Sequence, residues 1–292
     1  MNIVLCGVAA AVLAALLIYG YCSNFQLKTE HYLVGRPNGG GEKGKPIRIV
    51  MLADLHGAVF GIGNRRLIDR IREEQPDLIC IAGDMTVKDG RGMDSCLALC
   101  RELLSVCPVY YAMGNHEIRM EGYADYCLNV KKTGVCVLDN ECRRIVLNGI
   151  KIGIYGWNAD EFYYHKFWQK RELTGEELRA LVGVPEPDEY RILLAHNPEY
   201  FDAYREWGAD LILSGHVHGG IARLPFAGGV IDPALRLFPK YDAGLYKKGT
   251  AAMVLSRGLG THHIRLRFFN SPEISVVNVL ANESSFMYNC YK

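Results

Sequence analysis

The sequence lacks an excess of charge of either sign. Its 33 basic and 32 acidic side chains leave a formal net charge of +1. Proteins that bind nucleic acid through the phosphate backbone carry a clear basic excess or a basic stripe. We therefore expect no nucleic-acid partner.

The ten cysteines lack the paired spacing of a disulfide framework. Such usage fits a reducing compartment better than an oxidising one. Cys96 and Cys100 are one helical turn apart, so we expect both to pack inward as small hydrophobic residues.

The N-terminal stretch lacks charge altogether from Asn2 to Leu27. It is long enough to cross a bilayer as a helix. A cleaved signal peptide, the alternative, would have a basic region first and a small-residue cleavage site. No basic residue precedes the apolar run, and residues 19–23 are a poor cleavage site. We predict an uncleaved single-pass anchor over residues 1–23, which attaches the protein to the cell membrane.

Basic residues follow this anchor but do not precede it, beginning with Lys28 and Arg36. By the positive-inside tendency, the rest of the chain lies in the cytoplasm. Residues 33–45 are rich in glycine and polar residues, so we predict a linker over 24–46. The remainder, 47–292, can bury one substantial core and is expected to form one domain.

Apolar runs alternate with helical patterns in this domain, which indicates an α/β fold. We expect helices near 65–74, 95–105, 175–182 and 199–207. Thr174 and Glu177 have the spacing of a capping box. Residues 143–154 are typical of a hairpin that turns at Asn148-Gly149.

Five short polar blocks each follow an apolar run that is typical of a buried strand. The blocks are Asp54-Leu55-His56, Gly83-Asp84, Gly114-Asn115-His116-Glu117, His196 and Gly215-His216-Val217-His218. In an α/β protein, groups at the carboxyl ends of strands converge on one edge of the sheet. The five blocks are therefore expected to form one site.

The residue types in these blocks are metal ligands. Carboxylate, amide and imidazole groups together suit Mn, Fe, Zn or Co. Two such ions roughly 3.5–4 Å apart can clamp the attacking and leaving oxygens of a displacement at phosphorus. A carboxylate that bridges the ions is needed, and Asp84 is the natural candidate. A lone histidine is usually an ordinary surface or core residue, and we interpret His31 in this way. Seven candidate ligands that occur in order along the chain favour a functional site over coincidence.

The blocks resemble the signature of the calcineurin-like metallophosphoesterases, which is D-x-H, G-D, G-N-H-[DE], H and G-H-x-H. The resemblance covers residues 47 to about 279. Residues 213–220 and 256–261 are similar to the membrane-anchored bacterial branch that includes YkuE-like phosphoesterases. The resemblance to this family implies a four-layer α/β sandwich of two packed mixed β-sheets flanked by helices. In this chain one N-terminal transmembrane helix would precede the sandwich.

The resemblance also implies a role for each site residue. Two divalent metal ions per chain would be held, the first by Asp54, His56 and His218, the second by Asn115, His196 and His216, with Asp84 shared. His116 would be the catalytic histidine that binds no metal. It would stabilise phosphate charge or protonate the leaving oxygen. Glu117 is expected to fix neighbouring groups rather than to bind metal.

Three features bear on the substrate. Relatives of this branch often carry an acidic pair after the turn at Gly156, where this chain has Asn158-Ala159-Asp160. Residues 161–168 concentrate aromatic side chains, which either pack on the core or form an apolar rim that meets lipid. Arg223 is close enough in sequence to His218 to bind phosphate.

We therefore predict a hydrolase that cleaves a phosphodiester or pyrophosphate bond through a metal-activated water. The anchor suggests a lipid-linked substrate at the membrane, and the resemblance adds UDP-diacylglucosamine hydrolysis as a candidate activity. A phosphatase acting on monoesters of small molecules or proteins is the alternative. A non-catalytic, membrane-tethered binding protein is the alternative from another class.

Overall fold

A computed structural model describes residues 2–36, 45–164, 171–220, 222–224, 226, 228–231, 237–261 and 266–280. The α-helices in these ranges are α1 (Asn2–Cys22), α2 (Arg65–Glu73), α3 (Met93–Leu104), α4 (Asn115–Ile118), α5 (Tyr123–Lys132), α6 (Gly175–Val182) and α7 (Phe201–Trp207). Short 3-10 helices lie at Ser23–Phe25, Ile62–Asn64, Glu161–Tyr164 and Pro198–Tyr200.

The strands form two large sheets and one small hairpin. They are β1 (Lys28–Gly35), β2 (Ile47–Leu52), β3 (Leu78–Ala82), β4 (Val109–Ala112), β5 (Cys136–Val137), β6 (Cys142–Leu147), β7 (Ile150–Trp157), β8 (Tyr190–Ala195), β9 (Leu211–Ser214), β10 (Ala222–Leu224), β11 (Gly228–Ile231), β12 (Gly244–Lys248), β13 (Ala251–Leu255) and β14 (Glu273–Leu280).

Both large sheets are mixed. The first has the order β1-β14-β2-β3-β4-β5, in which β2 to β5 are parallel and β14 is antiparallel to β2. The second has the order β12-β13-β9-β8-β7-β6, with antiparallel strands at both edges. Strands β10 and β11 pair with each other.

The two sheets pack face to face, and helices cover their outer faces. Strand β2 shows the alternation that makes this possible: Met51 belongs to the core between the sheets and Leu52 to the core beneath the helices. Helices α2, α3 and α5 cover the first sheet. Helices α6 and α7 cover the second. The predicted four-layer α/β sandwich is confirmed.

Three local predictions from the sequence are also confirmed: a capping box, a hairpin turn and two buried cysteines. The Thr174 hydroxyl accepts the Glu177 N–H at 3.1 Å, and the Glu177 carboxylate accepts the Thr174 N–H at 2.9 Å, which completes the capping box. The hairpin turns at Asn148 and Gly149, both with positive φ. Cys96 and Cys100 are fully buried, as predicted.

The predicted linker over 24–46 is wrong in its first part. Residues 28–35 form β1, which pairs along its whole length with β14 at the edge of the first sheet. An edge strand is exposed on one side, so its sequence is mostly polar, and of its eight residues only Val34 is fully buried. Because of this polarity, the sequence pattern did not predict a strand at residues 28–35. Residues 37–44 of the predicted linker lie outside the described residues.

Helix α1 is long and apolar enough to cross a membrane. Its 21 residues span about 30 Å, the thickness of a bilayer core. From Leu5 to Cys22 only Gly20 is buried. Side chains such as Leu5 and Ile18 are therefore exposed along the helix.

Candidate metal centre

The polar blocks meet at one edge of the sandwich because each follows a strand of the two facing sheets. Asp54 follows β2, Asp84 follows β3, and His116 follows β4 in the first sheet. His196 follows β8 and His216 follows β9 in the second. The sheets are packed together, so their carboxyl edges bring the blocks within reach of each other.

Five of these residues adopt the left-handed backbone conformation that ordinary side chains avoid. They are Asp54 (φ 53°), His56 (φ 47°), Asp84 (φ 54°), His216 (φ 77°) and His218 (φ 52°). Strain of this kind costs about 1–3 kcal/mol per residue and concentrates at functional sites. The backbone is thus held in a form that serves the site rather than the fold.

The side chains form three overlapping groups of ligand atoms, each within 4.8 Å. The groups are Asp54, His56 and His218; His56, Asp84 and His116; and Asp84, His196 and His216. Nε2 of His56 lies 3.0 Å from Nε2 of His218. Nε2 of His196 lies 3.1 Å from Oδ2 of Asp84. Asp84 and His56 each belong to two groups, so the site is one continuous centre.

The orientation of the ligand atoms fits a pair of cations. Nδ1 of His196 donates to the Ala82 carbonyl at 2.6 Å, and Nδ1 of His218 donates to the Gly260 carbonyl at 3.2 Å. A carbonyl only accepts, so in the neutral form of each ring the lone pair is on Nε2, which faces the centre. Oδ1 of Asn115 is buried and accepts no hydrogen bond from the described residues. A buried oxygen of this kind calls for a partner, and a metal ion would provide one.

The electrostatics of the centre are those of buried charges that stabilise one another. Burial raises the pKa of Asp54 to about 7. Burial also opposes ionisation of Asp84, but His196, His56 and His116 hold its pKa well below the usual range. Although burial favours a neutral imidazole, Asp84 and Asp54 raise the pKa of His196 to about 10. In the absence of metal the histidine proton takes the place of a cation.

Glu117 binds the loops of the centre together, as predicted. Its Oε2 accepts the backbone N–H groups of Asp84 at 2.8 Å and Gly114 at 2.9 Å. Its Oε1 accepts the Thr86 N–H at 3.0 Å and the Tyr111 hydroxyl at 3.1 Å. The carboxylate is fully buried and committed to these donors, so it supports the ligands and does not join them.

Two glycines permit the close approach of these loops. A Cβ on Gly83, which has φ 85°, would lie 2.5 Å from the backbone nitrogen of Gly114. A Cβ on Gly114 would lie 2.2 Å from Oδ1 of Asp84. That same oxygen accepts the His116 N–H at 2.8 Å. Side chains at either position would separate Asp84 from His116.

Asn158 supports the same region through its side-chain amide. Its Oδ1 accepts the Met113 N–H at 2.8 Å, and its Nδ2 donates to Asp139 at 2.7 Å. An aspartate would keep the first bond but lose the second. The amide at Asn158 therefore matches a local acceptor, Asp139.

The described part of the aromatic stretch 161–168 packs on the core and beside the centre, and the apolar rim that meets lipid stays a prediction. Tyr163 packs on Trp157 in the core, with ring centroids 5.1 Å apart. The ring of Tyr164 lies 5.1 Å from that of His216, and its hydroxyl is buried without a partner among the described residues. Only the local density of aromatic residues pointed to Tyr164. Residues 165–168 lie outside the described residues.

Arg223 is engaged in the protein itself. Its Nη1 donates to the Gly219 carbonyl at 3.0 Å and lies 3.0 Å from Oδ2 of Asp242. Phosphate binding by Arg223 remains a prediction.

Comparison with known proteins agrees with this geometry. The family described as calcineurin-like phosphoesterase matches residues 47–220. The chain is 28% identical over 244 residues to the phosphodiesterase YaeI of Escherichia coli (strain K12), covering 80% of this chain and 83% of that protein. It is 29% identical over 234 residues to the uncharacterized metallophosphoesterase YkuE of Bacillus subtilis (strain 168), covering 78% and 77%. It is 27% identical over 266 residues to an uncharacterized metallophosphoesterase of Aquifex aeolicus (strain VF5), covering 89% and 95%.

Proposed function

The chain belongs to the calcineurin-like phosphoesterase family and is a metal-dependent hydrolase of phosphoric esters, and from this premise we propose a more specific activity. The protein cleaves a phosphodiester or pyrophosphate bond in a lipid-linked substrate at a membrane. The observation that carries the proposal is the ligand set around Asp84 and His116, in a domain joined to the apolar helix α1. Hydrolysis of UDP-diacylglucosamine is one example of such an activity.

The residues of the centre fit two divalent ions. In this proposal Asp54, His56 and His218 hold the first ion, Asn115, His196 and His216 hold the second, and Asp84 is shared. The first and third groups of ligand atoms support this division, as does the unpartnered Oδ1 of Asn115. The mixture of oxygen and nitrogen ligands suits Mn, Fe, Zn or Co. When bound, the ions supply Lewis acidity that activates water and neutralises charge on the phosphate oxygens.

His116 is the proton donor of the proposed reaction. Its Nδ1 accepts the Lys88 N–H at 3.3 Å, so the ring proton is on Nε2. The ring lies edge-on to His56, with centroids 4.6 Å apart. In this neutral ring the Nε2–H can donate a hydrogen bond that stabilises the charge on a phosphate oxygen. To protonate the leaving oxygen the ring must first be an imidazolium, with a second proton on Nδ1 in place of the bond from Lys88. General-acid assistance of this kind contributes roughly 10²- to 10⁴-fold in rate.

The membrane part of the proposal comes from α1 and its surroundings. The helix carries no charged side chain, and the first basic residue after it is Lys28, so the basic residues lie on the side of the domain. That asymmetry favours an uncleaved anchor with the enzyme in the cytoplasm. A diester is favoured over a monoester because the relative YaeI is named a phosphodiesterase.

The proposal is tested with the full chain in detergent, stripped of metal and reloaded with Mn. Hydrolysis of a chromogenic phosphodiester is compared with that of the matching monoester. Preference for the diester supports the proposal, whereas preference for the monoester makes the protein a phosphatase. Metal binding without turnover of either compound would point to a narrow substrate that needs the membrane.

The role of His116 is tested separately. We expect His116→Ala to lower turnover by roughly 10²- to 10⁴-fold while the metal content is unchanged. His31→Ala, at an exposed histidine on β1, is the matched control and should keep full activity. An equal loss of turnover and metal in the His116 variant would show instead that His116 is a ligand.

A further inference from the structure

The topology of the first sheet decides where α1 leaves the domain. Strand β1 runs parallel to β14, and β14 runs antiparallel to β2. The start of β1 therefore lies at the edge where β2 ends, which is the edge of the metal centre. Lys28 pairs there with Glu273, whose N–H donates to Gly258 at 3.2 Å. A Cβ on Gly258 would lie only 2.7 Å from Cβ of Asp54. Helix α1 thus joins the domain beside the centre.

The last turn of α1 is attached to a segment of the domain. The Arg267 N–H donates to the Gly20 carbonyl at 2.9 Å. The Phe268 ring covers Gly20 so closely that a Cβ there would lie 2.8 Å from it. The rings of Tyr19 and Phe269 have centroids 5.4 Å apart. These contacts fix the end of α1 relative to the domain.

The same segment connects to the β10–β11 hairpin. The Arg223 N–H donates to the Phe268 carbonyl at 3.0 Å, and the Phe238 N–H donates to Val230 in β11 at 2.9 Å. The hairpin begins shortly after His218, so it lies between the centre and the end of α1. Large apolar side chains are exposed here, and we call them the hairpin surface: Leu224, Phe226, Leu237, Phe238 and Phe269.

Three of these residues are strained as well as exposed. Phe226 (φ 69°), Phe238 (φ 48°) and Phe269 (φ 52°) all have left-handed backbone. That conformation is unfavourable for a bulky side chain. Each of the three residues is more than half exposed, so packing among the described residues leaves most of each side chain uncovered. Burial of these three side chains in an apolar environment outside the chain would offset the strain.

We propose that the hairpin surface lies in the interfacial layer of the bilayer that holds α1, so that the metal centre opens toward the lipid headgroups. The proposal rests on the anchor in the proposed function and adds the orientation of the enzyme. Aromatic residues are favoured in the interfacial layer, and the surface is continuous with the end of α1. A substrate with its phosphate at headgroup level would reach the centre without leaving the membrane.

Fluorescence quenching by brominated lipids tests the proposal. The full chain is reconstituted into vesicles of phosphatidylcholine with a minority of phosphatidylglycerol, with or without bromine on the acyl chains near the headgroup. Phe226→Trp reports on the hairpin surface and Leu13→Trp on α1. Val146→Trp is the matched control, because Val146 is 70% exposed but pairs with Lys151 at the opposite edge of the second sheet. Quenching is measured as the excess over the unsubstituted chain, which has three tryptophans.

We expect the tryptophans at 13 and 226 to be quenched severalfold more than the one at 146. Quenching at 13 with none at 226 above the control overturns the proposal and leaves the anchor intact. No quenching at 13 refutes the anchor, and the proposed orientation falls with it. Turnover of a soluble chromogenic diester is a separate readout, and Phe226→Trp should leave it unchanged. Failure of the hydrolase assignment would therefore be seen there and not in the quenching.

Discussion

Replacing Glu117 by glutamine should weaken the fold and the metal centre together. Glu117 is fully buried, and its two oxygens accept backbone N–H groups from three residues. Glutamine offers one acceptor oxygen and one NH2 group of the same size. The substitution therefore keeps the shape of the site and changes only its hydrogen bonds.

The structure indicates which bonds are lost. The amide oxygen is best placed at the Oε2 position, because the N–H groups of Asp84 and Gly114 cannot turn away. The NH2 group then faces the Thr86 N–H, whereas the Tyr111 hydroxyl can rotate and accept from it. One charge-assisted bond is lost and one buried donor is left unpaired, which together cost about 2–4 kcal/mol. That is less than the roughly 5–15 kcal/mol of a typical domain, so the protein should still fold.

The assay is urea unfolding of the metal-free protein in detergent, followed by titration with Mn. We expect the free energy of unfolding to fall by about 2–4 kcal/mol and metal affinity to fall roughly 10- to 100-fold, because Glu117 positions Asp84. Glu102→Gln is the control: its exposed pair with Arg72 should contribute less than about 1 kcal/mol. Unchanged stability and unchanged affinity in the Glu117 variant would refute the reasoning.

Two further predictions concern the same centre. Gly83→Ala should abolish metal binding, because its Cβ would meet the backbone nitrogen of Gly114 at 2.5 Å. Gly149→Ala is the control, since Gly149 also has positive φ but lies in open space. It should lower the free energy of unfolding in urea by only about 1–2 kcal/mol. The pKa of His196 is raised to about 10 by its carboxylate partners against the effect of burial, so at pH 8 the metal-free ring is protonated. Metal binding should then release at least one proton per chain, and affinity should increase as pH rises toward 10. Calorimetry in two buffers of different ionisation enthalpy measures this, and zero release would contradict the assignment.

The sequence was informative where structure is local. Each ligand block follows an apolar run, and a strand buried on both faces has a recognisable composition, so the position of Asp84 or His196 at a strand end could be predicted. Glu117 was foreseen as a support of its neighbours rather than as a metal ligand. Its partners Thr86 and Tyr111, however, depend on how β3 and β4 pair.

The features that were missed depend on contacts between distant segments. Strand β1 is polar, and its identity comes from β14: the Tyr32 hydroxyl donates to Glu273, 241 residues away, at 2.9 Å. The position of Tyr164 beside His216 depends on how a 3-10 helix packs against the second sheet. No local pattern encodes either contact, because both result from tertiary packing.

The position of β14 between β1 and β2 also sets an order of events during synthesis. Helix α1 and β1 are made first, but β1 has no partner in the sheet until β14 follows, far along the chain. Until then the edge of β2 is also open, and open edges invite pairing with other chains. Closing contacts of such long sequence separation is slow. The first sheet is therefore completed late in synthesis, and a chain cut short before β14 would leave β1 unpaired and one edge of β2 open.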